Sequence, residues 1–233
     1  VSLLTIVTEV CGRLALSQPT SVVGSTDTQV QQLFALANKA GHDLAQAHPW
    51  QDLMEEATFT TVASPVQSAA IPLDLDRMVP DSIYNRTTRR PVGGPITPQE
   101  WQARQAQPAI STVVLVFRQR QGQFLISPTP PADQTIAYEY VSKNWAKGAL
   151  GAAQAQFLAD TDTAYLDESL IADAVVWMFL RSKGFSYAEE MKTYERNLEQ
   201  QAGRDGGSGA LTLTPEPVRL DRVNLPDGDF PGA

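Results

Sequence analysis

Any chemistry in this sequence has to come from few reactive side chains. The 233 residues hold two histidines, His42 and His48, and one cysteine, Cys11. A zinc site needs three or four Cys, His or acidic ligands in closed geometry, and no cysteine lies near either histidine in sequence. Both histidines read as solvated or packed imidazoles. Asp160-Thr161-Asp162 opens as a calcium loop would, but it lacks the glycine and the terminal glutamate. It reads better as a helix start, where the dipole favours Asp162, Asp167 and Glu168. Glu189 and Glu190 occupy adjacent helical positions, which diverge by about 100°, so they do not form a facing carboxylate pair. Gly206-Gly207-Ser208-Gly209-Ala210 lacks the last glycine of a nucleophile elbow and follows a helix instead of a strand, so it reads as a linker. No phosphate-cradling or dinucleotide fingerprint occurs. No catalytic residue, metal site or cofactor is expected.

Residues suited to contact are easier to find. Arg86, Arg89 and Arg90 form the densest basic cluster, beside Tyr84 and Pro91. They suit an acidic partner or an intersubunit salt bridge. Trp101 and Trp145 are candidate interface anchors, whereas Trp177 lies in an apolar helix and belongs to the core. The net charge of -8 disfavours tight unspecific nucleic-acid binding, because that affinity comes from Lys and Arg displacing counterions. Residues 1–16 carry neither a basic leader nor a small-residue cleavage site, and the most apolar run, 174–180, is far short of a membrane span. No export signal and no membrane association are expected. Cys11 sits among Leu3, Leu4, Val7, Val10 and Leu14 and reads as a small buried hydrophobe.

The elements that must position these residues follow from periodicity. Residues 2–16 place Leu3, Leu4, Val7, Val10, Cys11 and Leu14 on one helical face. A second helix starts after Ser25-Thr26-Asp27 and runs to about Ala47, and Trp50 is expected to fold back onto this pair. Strand character begins at residues 58–62. A capping box, Thr97 with Glu100 and Pro98 between them, predicts a short helix fading near Gln107. Residues 113–117 and 124–126 flank Gln121-Gly122 as a hairpin. Residues 135–141 form a third strand, with Ile136, Tyr138 and Tyr140 on one face and Ala137, Glu139 and Val141 on the other. Residues 166–181 are apolar nearly all round and predict a central buried helix. Ser186-Tyr187-Ala188-Glu189 predicts a capped final helix with Tyr187, Met191, Tyr194 and Leu198 inward.

These elements predict an α+β fold, mainly α: a four-helix bundle with an inserted small β module and an extended C-terminal tail. The divisions are 1–56 for the first two bundle helices, 57–156 for the β-rich insertion with its short helix, 157–203 for the last two bundle helices and 204–233 for the tail. In the tail, Leu211/Leu213, Val218/Leu220 and Val223/Leu225 are apolar pairs two residues apart, followed by Phe230. That spacing suits an extended strand whose alternate side chains enter pockets on a partner.

Several stretches also carry a resemblance. Leu3-Leu4-Thr5-Ile6-Val7, the run from Val22-Val23-Gly24-Ser25-Thr26-Asp27 into Val30-Gln31-Gln32-Leu33, and Thr135-Ile136-Ala137-Tyr138-Glu139-Tyr140 with Ser142-Lys143-Asn144-Trp145 together resemble the podovirus head-to-tail adaptors, also called tail accessory factors or connectors. Arg90-Pro91-Val92 and Ile96-Thr97-Pro98-Gln99-Glu100-Trp101 add to the likeness, which covers roughly residues 1–205. The resemblance implies a structural protein without catalysis at the head–tail junction of the virion, assembled in the host cytoplasm. It implies a ring of self-contacts, commonly of twelve copies, beneath the portal protein, receiving a tail nozzle or hub protein below. DNA would pass through the channel without specific binding, and the carboxyl tails would extend onto the portal. The competing expectation is a virion-associated peptidoglycan hydrolase, which would require two separated carboxylates, one with a raised pKa.

Overall fold

The computed structural model describes residues 1–67, 70–106 and 114–206. Helix α1 (Leu3–Arg13) starts where the Ser2 hydroxyl accepts the Thr5 N–H. Helix α2 (Thr28–Ala47) starts at Asp27, whose carboxylate accepts the Gln29 N–H at 2.8 Å and satisfies one of the orphan donors of the first turn. Trp50 folds back as expected, its indole N–H donating to the Leu44 carbonyl at 2.7 Å.

The chain then becomes strand-rich. In order come β1 (Met54–Thr60), β2 (Val66–Gln67), β3 (Leu75–Met78), β4 (Tyr84–Asn85), β5 (Arg90–Pro91), helix α3 (Pro98–Ala106), β6 (Val116–Arg120), β7 (Gln123–Ser127) and β8 (Thr135–Ser142). Three short strands follow: β9 (Ala146–Lys147), β10 (Ala153–Gln154) and β11 (Thr163–Ala164). Strand β8 organises the main sheet. It pairs antiparallel with β1 along one edge, from Met54↔Val141 to Thr60↔Thr135, and with both β4 and β3 along the other. The β6–β7 hairpin turns at Gln121 and Gly122, both at positive φ (51° and 69°), which matches the twist of a two-residue hairpin.

Alternation along β8 serves two cores. Ile136, Tyr138 and Tyr140 join Phe59, Phe117 and Phe124 in an aromatic β core, where Phe117 and Phe124 stack at 5.1 Å. Burial, with Asp74 nearby, pushes the Tyr138 phenol up to about 12, and its hydroxyl donates to the Ala70 carbonyl. Val141 points instead into the helical core, which Trp145 and Phe157 enter from the loops beyond β8. The last helices, α4 (Glu168–Lys183) and α5 (Ala188–Asp205), complete that core. The apolar circumference of α4 is explained by its neighbours, since α1, α2 and α5 all pack against it. Each fully buried aliphatic side chain on it contributes about 1.5–3 kcal/mol.

The predicted four-helix bundle with a small β module does not form. Among the described residues there are five helices and eleven strands in three antiparallel sheets. Helices α1 and α2 barely meet each other, and α5 buries no residue fully. The helices are spokes on α4, with Trp145 and Phe157 filling volume that a bundle would fill with helix. Two local readings also fail. Asp162 does not start a helix; its carboxylate accepts the N–H groups of Leu158 and Ala159 (2.6 and 2.8 Å) in a turn, and α4 starts at Asp167. The capping box proposed at Ser186 and Glu189 is not made, because Tyr187 precedes the helix without a side-chain cap and Glu189 faces Lys192 at 3.3 Å.

Asp160 has the opposite of a metal-binding role. Its carboxylate accepts the N–H groups of Val22 (3.0 Å) and Val23 (2.7 Å) and the Ser21 hydroxyl (2.7 Å), tying two loops 137–139 residues apart in sequence. Burial works to raise its pKa, but these three hydrogen bonds outweigh it and hold the carboxyl below the ordinary carboxylate value. The unfolded chain therefore takes up the proton first, and stability falls as pH drops below about 4. Asp160→Asn is expected to flatten that acid-side fall in Tm, measured by thermal scans across pH.

Gly41 gives a second test. A Cβ there would lie inside the Trp145 ring, far closer than any real contact. Gly41→Ala is expected to destabilise by about 1–3 kcal/mol through overpacking, although alanine is the better helix former by about 1 kcal/mol. Urea denaturation measures the difference.

Candidate docking surface

The arginine cluster is built on a rigid turn. After β4, the Asn85 side chain, itself buried, accepts the N–H groups of Thr87 (3.1 Å) and Thr88 (3.0 Å). The Thr87 hydroxyl accepts the Thr135 N–H at 2.9 Å, and the Arg86 N–H donates to the Thr135 carbonyl at 2.8 Å. The turn is thereby fastened to the amino-terminal end of β8. Arg86, Arg89 and Arg90 are all exposed on it. Arg89 sits at φ 55°, a left-handed conformation that disfavours side chains larger than Gly, Asn or Asp. Arg86 reaches back across the sheet to Glu56 at 2.7 Å, with both side chains about half exposed (52% and 50%). Beside the turn, Arg90, Val92, Leu115, Pro131 and Gln134 line a cavity of about 370 Å³ with an apolar floor.

The opposite end of the same sheet is acidic. Glu55 and Glu56 lie on β1 opposite Tyr140 and Glu139, while Asp74 and Asp76 accompany β3, and Asp81 follows it at φ 58°. The Tyr140 hydroxyl lies 3.1 Å from both Glu55 Oε2 and Asp74 Oδ2 and has one proton, so it donates to one carboxylate at a time. Burial, the hydrogen bond to Glu55 and the nearby Asp74 all push this phenol up. The Ser142 hydroxyl also donates to Asp74, at 2.7 Å. Asp74 is thus committed to the sheet, whereas Asp76 and Asp81 lie on its surface.

The two tryptophans expected at contacts lie inside the chain. Trp145 is fully buried against Phe157 at 4.7 Å, and Trp101 is 6% exposed on α3, whose Thr97–Glu100 capping box is made. Neither offers an open ring to a partner. The docking residues proposed for the tail, Leu211, Leu213, Val218, Leu220, Val223, Leu225 and Phe230, lie outside the described residues. What is described is the point from which the tail departs. Asp205, the last residue of α5, accepts the Gln51 N–H at 2.9 Å and lies 3.5 Å from His48 Nε2. Cys11 is buried, and among the described residues no three His, Cys, Asp or Glu side chains are grouped to hold a metal ion. Among them, too, no helix is long and apolar enough to cross a membrane.

Arg118 and Arg120 on β6 escaped the sequence reading, which sought clusters along the chain. The available signal was regional charge: residues 82–127 carry six arginines and a single acidic residue, Glu100, in a chain of net charge -8. Hydrogen bonding of Gly93 to Leu115 and Phe117 brings the end of β5 beside β6, so this charge gathers in one lobe.

Compared with known proteins, the chain matches the family model described as SU10 adaptor protein over residues 1–219. The match spans every stretch on which the adaptor resemblance rests. No curated protein matches the sequence. Because the Arg86–Glu56 pair is half exposed, it contributes little to the fold. Arg86→Ala is expected to change stability by less than about 1 kcal/mol in urea denaturation.

Proposed function

This chain belongs to the SU10 adaptor protein family, a family of phage adaptor proteins, and we propose on that premise that it forms a ring beneath the portal, joins capsid to tail and lets DNA pass. The family match across residues 1–219 carries the reading. As a phage adaptor the protein is a structural component associated with the virion, and its work is assembly.

The mechanism follows from the chemistry of the tail. Beyond the anchored end of α5, the 27 residues from 207 to 233 reach on the order of 90 Å when fully extended. Leu211, Leu213, Val218, Leu220, Val223, Leu225 and Phe230 are too few and too widely spread to form a core of their own. Laid along a portal subunit, alternate side chains enter pockets while the main chain pairs with an exposed strand. Each such contact is weak, but several copies held in one ring face one platform, and the effective concentration multiplies their affinity. Below the ring, a nozzle or hub protein docks. The excess of acidic over basic residues keeps passing DNA from adhering, since phosphates find few counterion-displacing groups.

Mass measurement of the purified chain mixed with its portal protein tests this reading. Multi-copy co-assembly is expected, and a chain that stays monomeric at every concentration overturns it. Deleting residues 211–233 is expected to leave the circular dichroism and Tm unchanged while lowering portal affinity by at least about tenfold. Equal affinity of the truncated chain removes the tail from the mechanism.

A further inference from the structure

The main sheet is a charged bar. At one end of β8 stands the turn carrying Arg86, Arg89 and Arg90, fastened through Thr135. At the other end, about 20 Å away at the ordinary rise per strand residue, stand Glu55, Asp76, Asp81 and Glu139. We propose that neighbouring copies of this chain meet head to tail through this bar, the arginine turn of one docking on the acidic end of the next. The inference rests on the ring reading and names the surfaces that make the ring.

Three observations carry it. The two ends are complementary in sign and lie on one rigid strand, so every copy presents both halves of a heterologous contact. Heterologous contacts of this kind close into rings when the rotation between copies allows. Second, the fold gives no reason for arginine at position 89. A left-handed φ there is easiest for Gly or Asn, and a long cationic side chain held in it by Asn85 and Thr135 is presented outward. Third, the setting favours carboxylates over nucleic acid. Arg86 already holds a carboxylate, Glu56, and a polyanion approaching this turn would meet Glu56 and Glu139 on the same sheet. A neighbour's few carboxylates fit between these charges, where a continuous phosphate backbone is repelled. Complementarity of this kind sets register and on-rate more than raw affinity, and salt screens it.

Charge exchange tests the proposal. One variant carries Arg89→Glu and Arg90→Glu; the other carries Asp76→Lys and Asp81→Lys. Each is purified, checked for an unchanged Tm, and mixed with portal protein at low salt for native mass measurement. Each variant alone sets like charges against each other at every interface, and multi-copy assembly is expected to drop at least about tenfold. An equal mixture restores opposite charges at every interface of an alternating ring, and assembly is expected to return. Assembly of either variant alone at the wild-type level overturns the inference and leaves the ring reading standing. Loss without rescue by mixing overturns it as well. Retention of duplex DNA by wild-type rings that is lost in normally assembling Arg89→Glu/Arg90→Glu rings assigns the turn to nucleic acid instead. A wild-type chain that forms no multi-copy species with portal overturns the ring reading itself.

Discussion

One contact joins the two halves of this molecule. The Trp145 indole fills the space that a side chain at position 41 would need, and Phe157 meets it edge-on at 4.7 Å. Trp145 follows the end of β8 by three residues, so this wedge fixes the strand-rich half against α2 and α4. Well-packed interiors tolerate neither a void nor an added methyl group at such a point. The arginine turn is set at the far end of β8, and the acidic end lies next to the wedge. The direction of the charged bar relative to the helices therefore depends on a glycine and a tryptophan that never touch solvent.

The helical half has a different logic. Helix α4 is enclosed by α1, α2 and α5, capped by Asp167 at its start and by Gly184 in the left-handed region at its end. Helix α5 only leans on it, through Tyr194, Leu198 and Ala202, and finishes at the Asp205 contacts with Gln51 and His48. A buried hub with a peripheral last helix suits an adaptor. The body stays fixed while the outermost element delivers the chain's end to a partner. Surface charge is free to serve recognition, because half-exposed ion pairs such as Arg86–Glu56 contribute little to folding.

Legibility in the sequence followed the range of the interactions. The Thr97–Glu100 capping box, the Asp27 cap, the turn at Gln121 and Gly122 and the fold-back of Trp50 were all readable, because each is completed within a few residues. The alternation of Ile136, Tyr138 and Tyr140 was readable for the same reason. The two-residue strands were not. A pair such as Ala146–Lys147 has no period of its own and becomes strand only because residues 153–154 and 163–164 lie alongside. Asp160 and Asp162 misled in a similar way. An acidic pair before a helix looks like dipole complementation, yet Asp160 serves loop donors at residues 22 and 23.

By itself, the sequence determined which segments are helical, where their caps lie, which faces are apolar and that the chain belongs among phage adaptors, since these rest on local periodicity and on the order of motifs. Tertiary structure alone decided that the helices gather round α4 instead of forming a bundle, that Trp145 is a core wedge, and that charge divides along β8. Packing is a many-body constraint. Whether a tryptophan faces solvent or core depends on volumes contributed by residues more than 100 positions away, such as Gly41, and no window of sequence around Trp145 contains them.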